Sequence, residues 1–283
     1  MLPGSSSPSD QPSTATDRPT ITSSTSSTPT APAAPGKPTY DSSTCTWEVP
    51  GAGRFNHKRE FNFLNKGGHL PDGLTASNYL VQDTYAGAPY NHKFEAQNVY
   101  SDGELLNLKV PGVPIPPSDD PGYAISSAEI VTTEDKILYA SIFFYLDDTQ
   151  EVDIEYLTHP ESQGNNIHQK SSTGAPIPIW FCNQAMTSGA SATQRVGPAP
   201  VDVSELHEYR IDWTKDFTAF YIDGILQKRH TTNVPNKPGR WIWNNWANGD
   251  YGWSAGPPSK DNIFKIQNIT MYYNTIDDSK RCQ

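Results

Sequence analysis

The chain has 283 residues, 35% of them hydrophobic, which is enough for one large core and a tail. Its formal net charge of -10 argues against nucleic acid or an anionic membrane as partner and leaves neutral ligands open. With 25 Pro, 20 Gly and 11% aromatic residues it favours short strands and turns over helices, and no apolar run approaches the ~20 residues of a membrane span.

Residues 1–38 are Ser, Thr, Pro and Ala with almost no large apolar side chain. Such a segment cannot bury enough surface to offset the entropy of ordering it, so it reads as a disordered linker or tail. Residues 39–283 read as the folded domain. Met1-Leu2-Pro3-Gly4 leads into that tail with neither a basic start nor an apolar core of a secretory signal. Cys45 and Cys282 flank the domain, where a disulfide would tie its terminal strands, whereas Cys182 sits in an apolar strand and reads as a buried free thiol. Asn268-Ile269-Thr270 is a glycosylation sequon.

Asn98 to Val110 predicts strand, Asp-Gly turn, strand, with Leu106, Leu108 and Val110 on one face. Pro111 to Pro121 is a Pro-rich loop. Ser127 to Thr132 predicts a strand carrying Glu129. Ile137 to Leu146 then reads as a single apolar run, after which Asp147-Asp148-Thr149-Gln150 delivers the chain into Glu151-Val152-Asp153-Ile154-Glu155-Tyr156.

That last stretch organises the rest. Side chains alternate across a strand, so Glu151, Asp153 and Glu155 share one face while Val152, Ile154 and Leu157 share the other. A half-wet strand is the plain explanation, but like charges repel along one face and no Lys or Arg in the stretch compensates them. Retaining glycoside hydrolysis does need such a pair: a nucleophile and a general acid/base about 5–5.5 Å apart. Glu151 and Glu155 lie about 13 Å apart at Cα in an extended strand, so their carboxyls must lean together on a curved sheet. Asp153 between them can hydrogen-bond the nucleophile and, through like-charge coupling, help keep the acid protonated.

Beyond it, Ile177 to Gln184 predicts a partner strand, followed by a small-residue loop through Pro200. Leu206 to Trp213 alternates, and Phe217 to Leu226 is a hairpin whose Asp223-Gly224 suits a type I′ turn. His207 reads as a core or edge histidine. Trp241 to Gly249 and Gly252 to Pro258 hold four of the seven Trp. Rigid indoles bury the flat C–H faces of sugars at little entropic cost, so a Trp cluster of this kind suits a sugar-binding surface. Trp241 and Trp243 read as core. In Phe264 to Tyr273 the alternation slips at Gln267-Asn268, as a β-bulge would produce.

Glu151-x-Asp153-x-Glu155 resembles the catalytic signature of glycoside hydrolase family 16, the laminarinase, lichenase and fungal cell-wall glucanase group. The Asp102-Gly103 strand, the block from His207-Glu208-Tyr209 through Asp212-Trp213 to Asp223-Gly224, the Asn245-Trp246 strand and Gly252-Trp253-Ser254-Ala255-Gly256-Pro257-Pro258 extend the resemblance from roughly Cys45 to the C-terminus. It implies an all-β, concanavalin-like jelly-roll sandwich of two antiparallel sheets. It also implies retaining cleavage of β-glucan (β-1,3 or β-1,3/1,4), with Glu151 as nucleophile, Glu155 as acid/base, Asp153 assisting, and Glu129, Asn245, Trp246 and Trp253 binding substrate. No metal and no cofactor are implied. The partner is a polysaccharide, the expected state a monomer, and the expected location extracellular or cell wall. Transfer to an acceptor sugar would pass through the same covalent intermediate. The chain departs from the pattern before Glu151, where about a strand and a turn are expected to be missing. A glycan-binding module of impaired activity is therefore the alternative to a working hydrolase.

Overall fold

Apolar and polar side chains alternate along most of this chain, and the computed structural model turns that period of two into strands packed on a shared core. It describes residues 36–64, 68–82, 87–113, 122–141, 144–147, 149–159, 162–165, 177–200 and 202–278, all within the compact unit Ala33–Gln283. The expected disordered tail, the centre of the Pro-rich loop and Cys282 lie outside the described residues. In chain order the strands are β1 (Thr39–Asp41), β2 (Thr46–Val49), β3 (Gly53–Phe55), β4 (His57–Asn62), β5 (Leu74–Ala76), β6 (Tyr79–Val81) and β7 (Asn91–Phe94). Next come β8 (Val99–Ser101), β9 (Leu106–Val110), β10 (Ala124–Thr132), β11 (Ile137–Ser141), β12 (Phe144–Asp147), β13 (Gln150–Tyr156) and β14 (Pro178–Asn183). The last seven are β15 (Thr193–Pro198), β16 (Tyr209–Trp213), β17 (Thr218–Ile222), β18 (Ile225–His230), β19 (Arg240–Asn245), β20 (Asn262–Ile266) and β21 (Asn268–Thr275).

Two large sheets carry the architecture. One runs β15-β14-β13-β12-β19-β10-β7-β6, with β5 also paired to β10, and the other runs β18-β17-β16-β11-β21-β4. Two three-stranded sheets, β1-β2-β3 and β20-β9-β8, complete the described strands. Pairing is antiparallel throughout the large sheets except between β10 and β7, which run parallel. The fold class is therefore the expected all-β sandwich, with small sheets added to the expected two. The two large sheets enclose Phe61, Ile130, Val152, Phe181, Ile211, Trp213, Phe220, Trp241 and Met271 in one cluster. Trp213 and Trp241 are fully buried with ring centroids 6.4 Å apart, and deleting such an indole typically costs about 3–5 kcal/mol.

Both hairpins follow their turn chemistry. Asp223 and Gly224 have φ of 50° and 73°, the positive pair a type I′ turn requires between β17 and β18. Between β8 and β9 the Asp102 carboxylate accepts from the backbone N–H of Glu104 and Leu105, at 3.0 and 2.8 Å. Leu106, Leu108 and Val110 are buried, as their spacing requires.

Three local expectations are corrected. The run Ile137 to Leu146 is not one strand: β11 pairs with β16 and β21, whereas β12 pairs with β13 and β19 in the other sheet. β11 is five residues long and β12 four. Both strands are kept but brief, and β13 keeps a neighbour on each side. The slip at Gln267 is likewise a sheet change, since β20 pairs with β9 while β21 pairs with β4 and β11. Its carbonyl caps the corner by accepting from the Phe63 N–H at 3.1 Å. Finally, the expected loop through Pro200 contains β15, whose half-exposed residues carry too weak an apolar alternation to read as a strand.

Candidate active site

The register of β13 decides which side chains share the acidic face. Asp153 pairs with Cys182 and Glu155 with Trp180 on β14, and Glu151 pairs with Tyr145 on β12. Directly paired residues project to the same side of a sheet, so the three carboxylates, Cys182 and Trp180 share one face. Val152, 0% exposed, drops from the opposite face into the core. Its partner Asn183 is also buried there, where its Oδ1 accepts from the Thr218 hydroxyl at 2.9 Å and its Nδ2 donates to the Thr232 carbonyl at 3.0 Å.

Burial then sorts the acids. Asp153 is fully buried, while Glu151 and Glu155 are half-buried. Neither Asp153 oxygen has a hydrogen bond of full geometry. Burial raises its pKa well above the usual carboxylate range, and the charges of Glu155 and Glu151 push it further. The Cys182 thiol opposes that shift weakly. Glu155 is pushed up to about 7, mainly by burial, against the lowering effect of hydrogen bonds from Trp253 and Asp153. Asp153 and Glu155 together thus retain a proton near neutrality, as general-acid catalysis demands of one member of such a cluster.

Trp253 reaches Glu155 from a loop that Asp250 organises. The Asp250 carbonyl accepts from the N–H of Trp253 and Ala255 at 3.0 and 2.7 Å, and its carboxylate accepts from the Gly252 N–H at 2.7 Å. The indole packs edge-on against Trp180, centroids 4.8 Å apart, and donates its Nε1–H to Glu155 Oε2 at 2.7 Å. Gly164 allows the approach, since a Cβ there would lie 3.1 Å from the indole and 3.0 Å from Leu157 Cδ1.

A second polar group lies across the same sheet. Glu129 is 3% exposed and accepts from Ser77 Oγ at 2.6 Å and Tyr79 Oη at 3.1 Å, with the Asn244 side chain as a further partner. Burial outweighs all three and raises its pKa. Glu129 pairs with Asn244 on β19, and Tyr145, opposite Glu151, pairs with Arg240. Counting along β19 puts Asn244 level with Glu155 on the acidic face, and Glu129 three strands away from Glu155, about 14 Å. Trp246 is half-buried at the end of β19, its ring stacked on His92 with centroids 4.8 Å apart and 29° between planes.

Asn245 stands apart from these groups. It pairs with the fully buried Ala128, and its Nδ2 donates to the Leu108 and Asn262 carbonyls at 3.0 and 3.1 Å, tying β19 to β9 and β20. The structure thus brings Glu151, Asp153, Glu155 and Trp253 together, sets Glu129 and Trp246 along the same sheet, and turns Asn245 to the other side. Sequence reasoning missed Asn244, whose signal was its parity with Trp246, and Cys182, whose register with Asp153 no sequence pattern announces. Cavities of about 180 and 320 Å³ open beside Met271 and beside Leu64, and neither touches β13. The acidic face is assigned from its chemistry, not from an enclosed volume.

The fold and the face of β13 define an all-β sandwich domain with a row of carboxylates on one strand and indoles alongside. The particular family follows from its sequence: residues 90–262 match the model of glycosyl hydrolases family 16, and the chain belongs to that family. It is 23% identical over 208 residues to a beta-glucanase of Paenibacillus macerans, covering 71% of this chain and 65% of that protein. It is 30% identical over 128 residues to a Crh-like protein of Arthroderma benhamiae, covering 43% of this chain and 24% of that one. The chain thus spans under two thirds of the length of the first and about a quarter of the second. Among solved structures, a lichenase from a mouse hindgut metagenome superposes with a TM-score of 0.52 at 18% identity over 77% of this chain and 99% of that one. Bacillus licheniformis beta-glucanase gives a TM-score of 0.50 at 18% identity over 74% and 99%. At such identities these two likenesses concern the fold.

Proposed function

We propose that this chain is a retaining glycoside hydrolase of β-glucan, acting on β-1,3 or mixed β-1,3/1,4 linkages outside the cell or in a cell wall. The observation that carries the reading is the face of β13, where Glu155 is held at about 7 within hydrogen-bonding reach of Trp253 and Glu151 stands on the same side. Glu151 attacks the anomeric carbon while Glu155 protonates the departing glycosidic oxygen, giving a covalent glycosyl ester on Glu151. Glu155, now ionised, takes a proton from water, which attacks the same carbon and releases Glu151. Asp153 holds a proton beside both groups and limits the charge that the face accumulates. Trp253 and Trp246 supply flat apolar surfaces for sugar rings, and Glu129, oriented by Ser77, Tyr79 and Asn244, accepts from sugar hydroxyls.

Two relatives of this chain are named beta-glucanase, which supports the substrate class. Cys45 is disulfide-bonded, which fits an oxidising, extracellular compartment. The test is product analysis on laminarin and on mixed-linkage glucan, comparing the native chain with Glu151→Gln. Products from the native chain alone support the reading, and equal turnover by the variant removes Glu151 as nucleophile. The short β11 and β12 favour a second reading, a glycan-binding module, in which the folded chain binds the same polysaccharides and yields no products.

A further inference from the structure

Cys182 sits where the hydrolytic mechanism has no use for a thiol. It is free and fully buried, and the register of β13 and β14 sets it directly opposite Asp153. Its Sγ and one carboxylate oxygen each from Asp153 and Glu155 all lie within 4.8 Å of one another. A thiol can neighbour a carboxylate simply to donate a hydrogen bond. That explanation leaves Asp153 unaccounted for, because both of its oxygens are buried without a hydrogen-bond partner of full geometry. A fully buried carboxylate facing a thiol and a second carboxylate, with neither oxygen in a hydrogen bond of full geometry, is an arrangement that a cation completes.

We propose that Asp153, Glu155 and Cys182 form a site for a thiophilic divalent cation, of the zinc or cadmium type, and that its occupation switches the glycosidase face off. The donor set selects the metal. One sulfur and two carboxylate oxygens suit borderline and soft ions, whereas calcium and magnesium prefer oxygen donors alone. Zn–S and Zn–O bonds of about 2.3 and 2.1 Å in tetrahedral array put sulfur and oxygen about 3.6 Å apart. The three donors therefore need to close by about 1.4 Å at most, within the reach of side-chain rotation on a half-buried Glu155. Three protein ligands leave a fourth position for water. On binding, the thiol proton and the proton held by the carboxylates leave to solvent, and the cation takes their place. Glu155 would then be a metal ligand with no proton to give a leaving oxygen.

Inhibition rests on the hydrolytic activity proposed above, but binding does not, so the test reads both. The full chain is titrated with cadmium chloride while the ultraviolet thiolate-to-cadmium charge-transfer band is followed, and zinc sulfate is added to a parallel turnover assay on laminarin. The proposal expects a band that saturates at one equivalent, is absent in Cys182→Ser, and requires roughly 10–100-fold more cadmium in Glu155→Gln. Zinc should inhibit the native chain, and Cys182→Ser should need at least tenfold more zinc for the same fractional loss. No band in the native chain, or an unchanged band in Cys182→Ser, overturns the site. Should Cys182→Ser fail to unfold cooperatively, Glu155→Gln and Asp153→Asn decide the matter, and unchanged cadmium affinity in both overturns it. A metal band in a chain that never turns over glucan would leave the site standing and sink the activity instead.

Discussion

Trp253 donates its indole N–H to the Glu155 carboxylate at 2.7 Å while packing edge-on against Trp180. The bond favours the ionised form of Glu155 and so opposes the burial that raises its pKa, the balance lying at about 7. Replacing Trp253 with Phe keeps an aromatic ring against Trp180 and removes the donor. The alkaline limb of kcat should move to higher pH by roughly 0.5–1 unit, a fraction of the ~1.5–3 kcal/mol typical of a hydrogen bond to a charged group. A pH–rate profile checks it: a limb that stays in place contradicts the bond's role.

Removing the acid itself should cost more. General acid catalysis contributes roughly 10²–10⁴-fold, and Glu155→Gln should lose that factor on unactivated glucan. Glu155→Ala should recover activity in part when azide is added with an activated glycoside, since the leaving group then needs no proton and azide enters the space. Rescue yielding a β-glycosyl azide marks Glu155 as acid/base. An α product, or no rescue from a folded variant, does not fit.

Stability should fall as pH rises through neutrality. Asp153 and Glu155 both bind protons more tightly folded than unfolded, so the folded state holds more protons between the ordinary carboxylate range, about 4–4.5, and about 7. Folding is then favoured below that window and progressively disfavoured across it. Asp153→Asn removes the most deeply buried charge and should flatten the dependence, so that at about pH 8 the variant melts above the native chain. Thermal unfolding across the window tests this, and parallel curves for the two proteins would contradict it.

Arg210 binds Asp212 through two hydrogen bonds of 2.7 Å, with Asp212 fully buried. Removing one partner of a buried pair strands the other charge, which typically costs about 3–5 kcal/mol. Arg210→Met should lose stability on that scale in denaturant unfolding, with little change in the turnover of the folded fraction, since β16 lies in the sheet opposite β13. A loss under about 1 kcal/mol would show that solvent already screens the pair.

Much of this was legible before any coordinates. The acidic alternation of Glu151 to Glu155 placed three carboxylates on one face because a strand has a period of two, and the register with Trp180 and Cys182 agrees. Asp223-Gly224 announced its turn because few residues tolerate two successive positive φ values. What could not be read was which sheet a strand enters. Ile137 to Leu146 is apolar but for Ser141 and carries no mark of passing between sheets, so it reads as one strand with another missing. Gln267 changed parity in the way a bulge would, and only the partners of β20 and β21 tell the two apart. The family resemblance points to Asn245 beside Trp246, whereas alternation on β19 gives the acidic face to Asn244. Cys182 met Asp153 through long-range pairing, which local composition does not encode.

The most direct test follows the anomeric configuration of the first product released from mixed-linkage glucan by the native chain, monitored by proton magnetic resonance before mutarotation. The reading of Glu151 as nucleophile and Glu155 as acid/base predicts the β-anomer first, with α appearing only as the sugar equilibrates. The α-anomer first, or no product from a cooperatively folded chain, would contradict it.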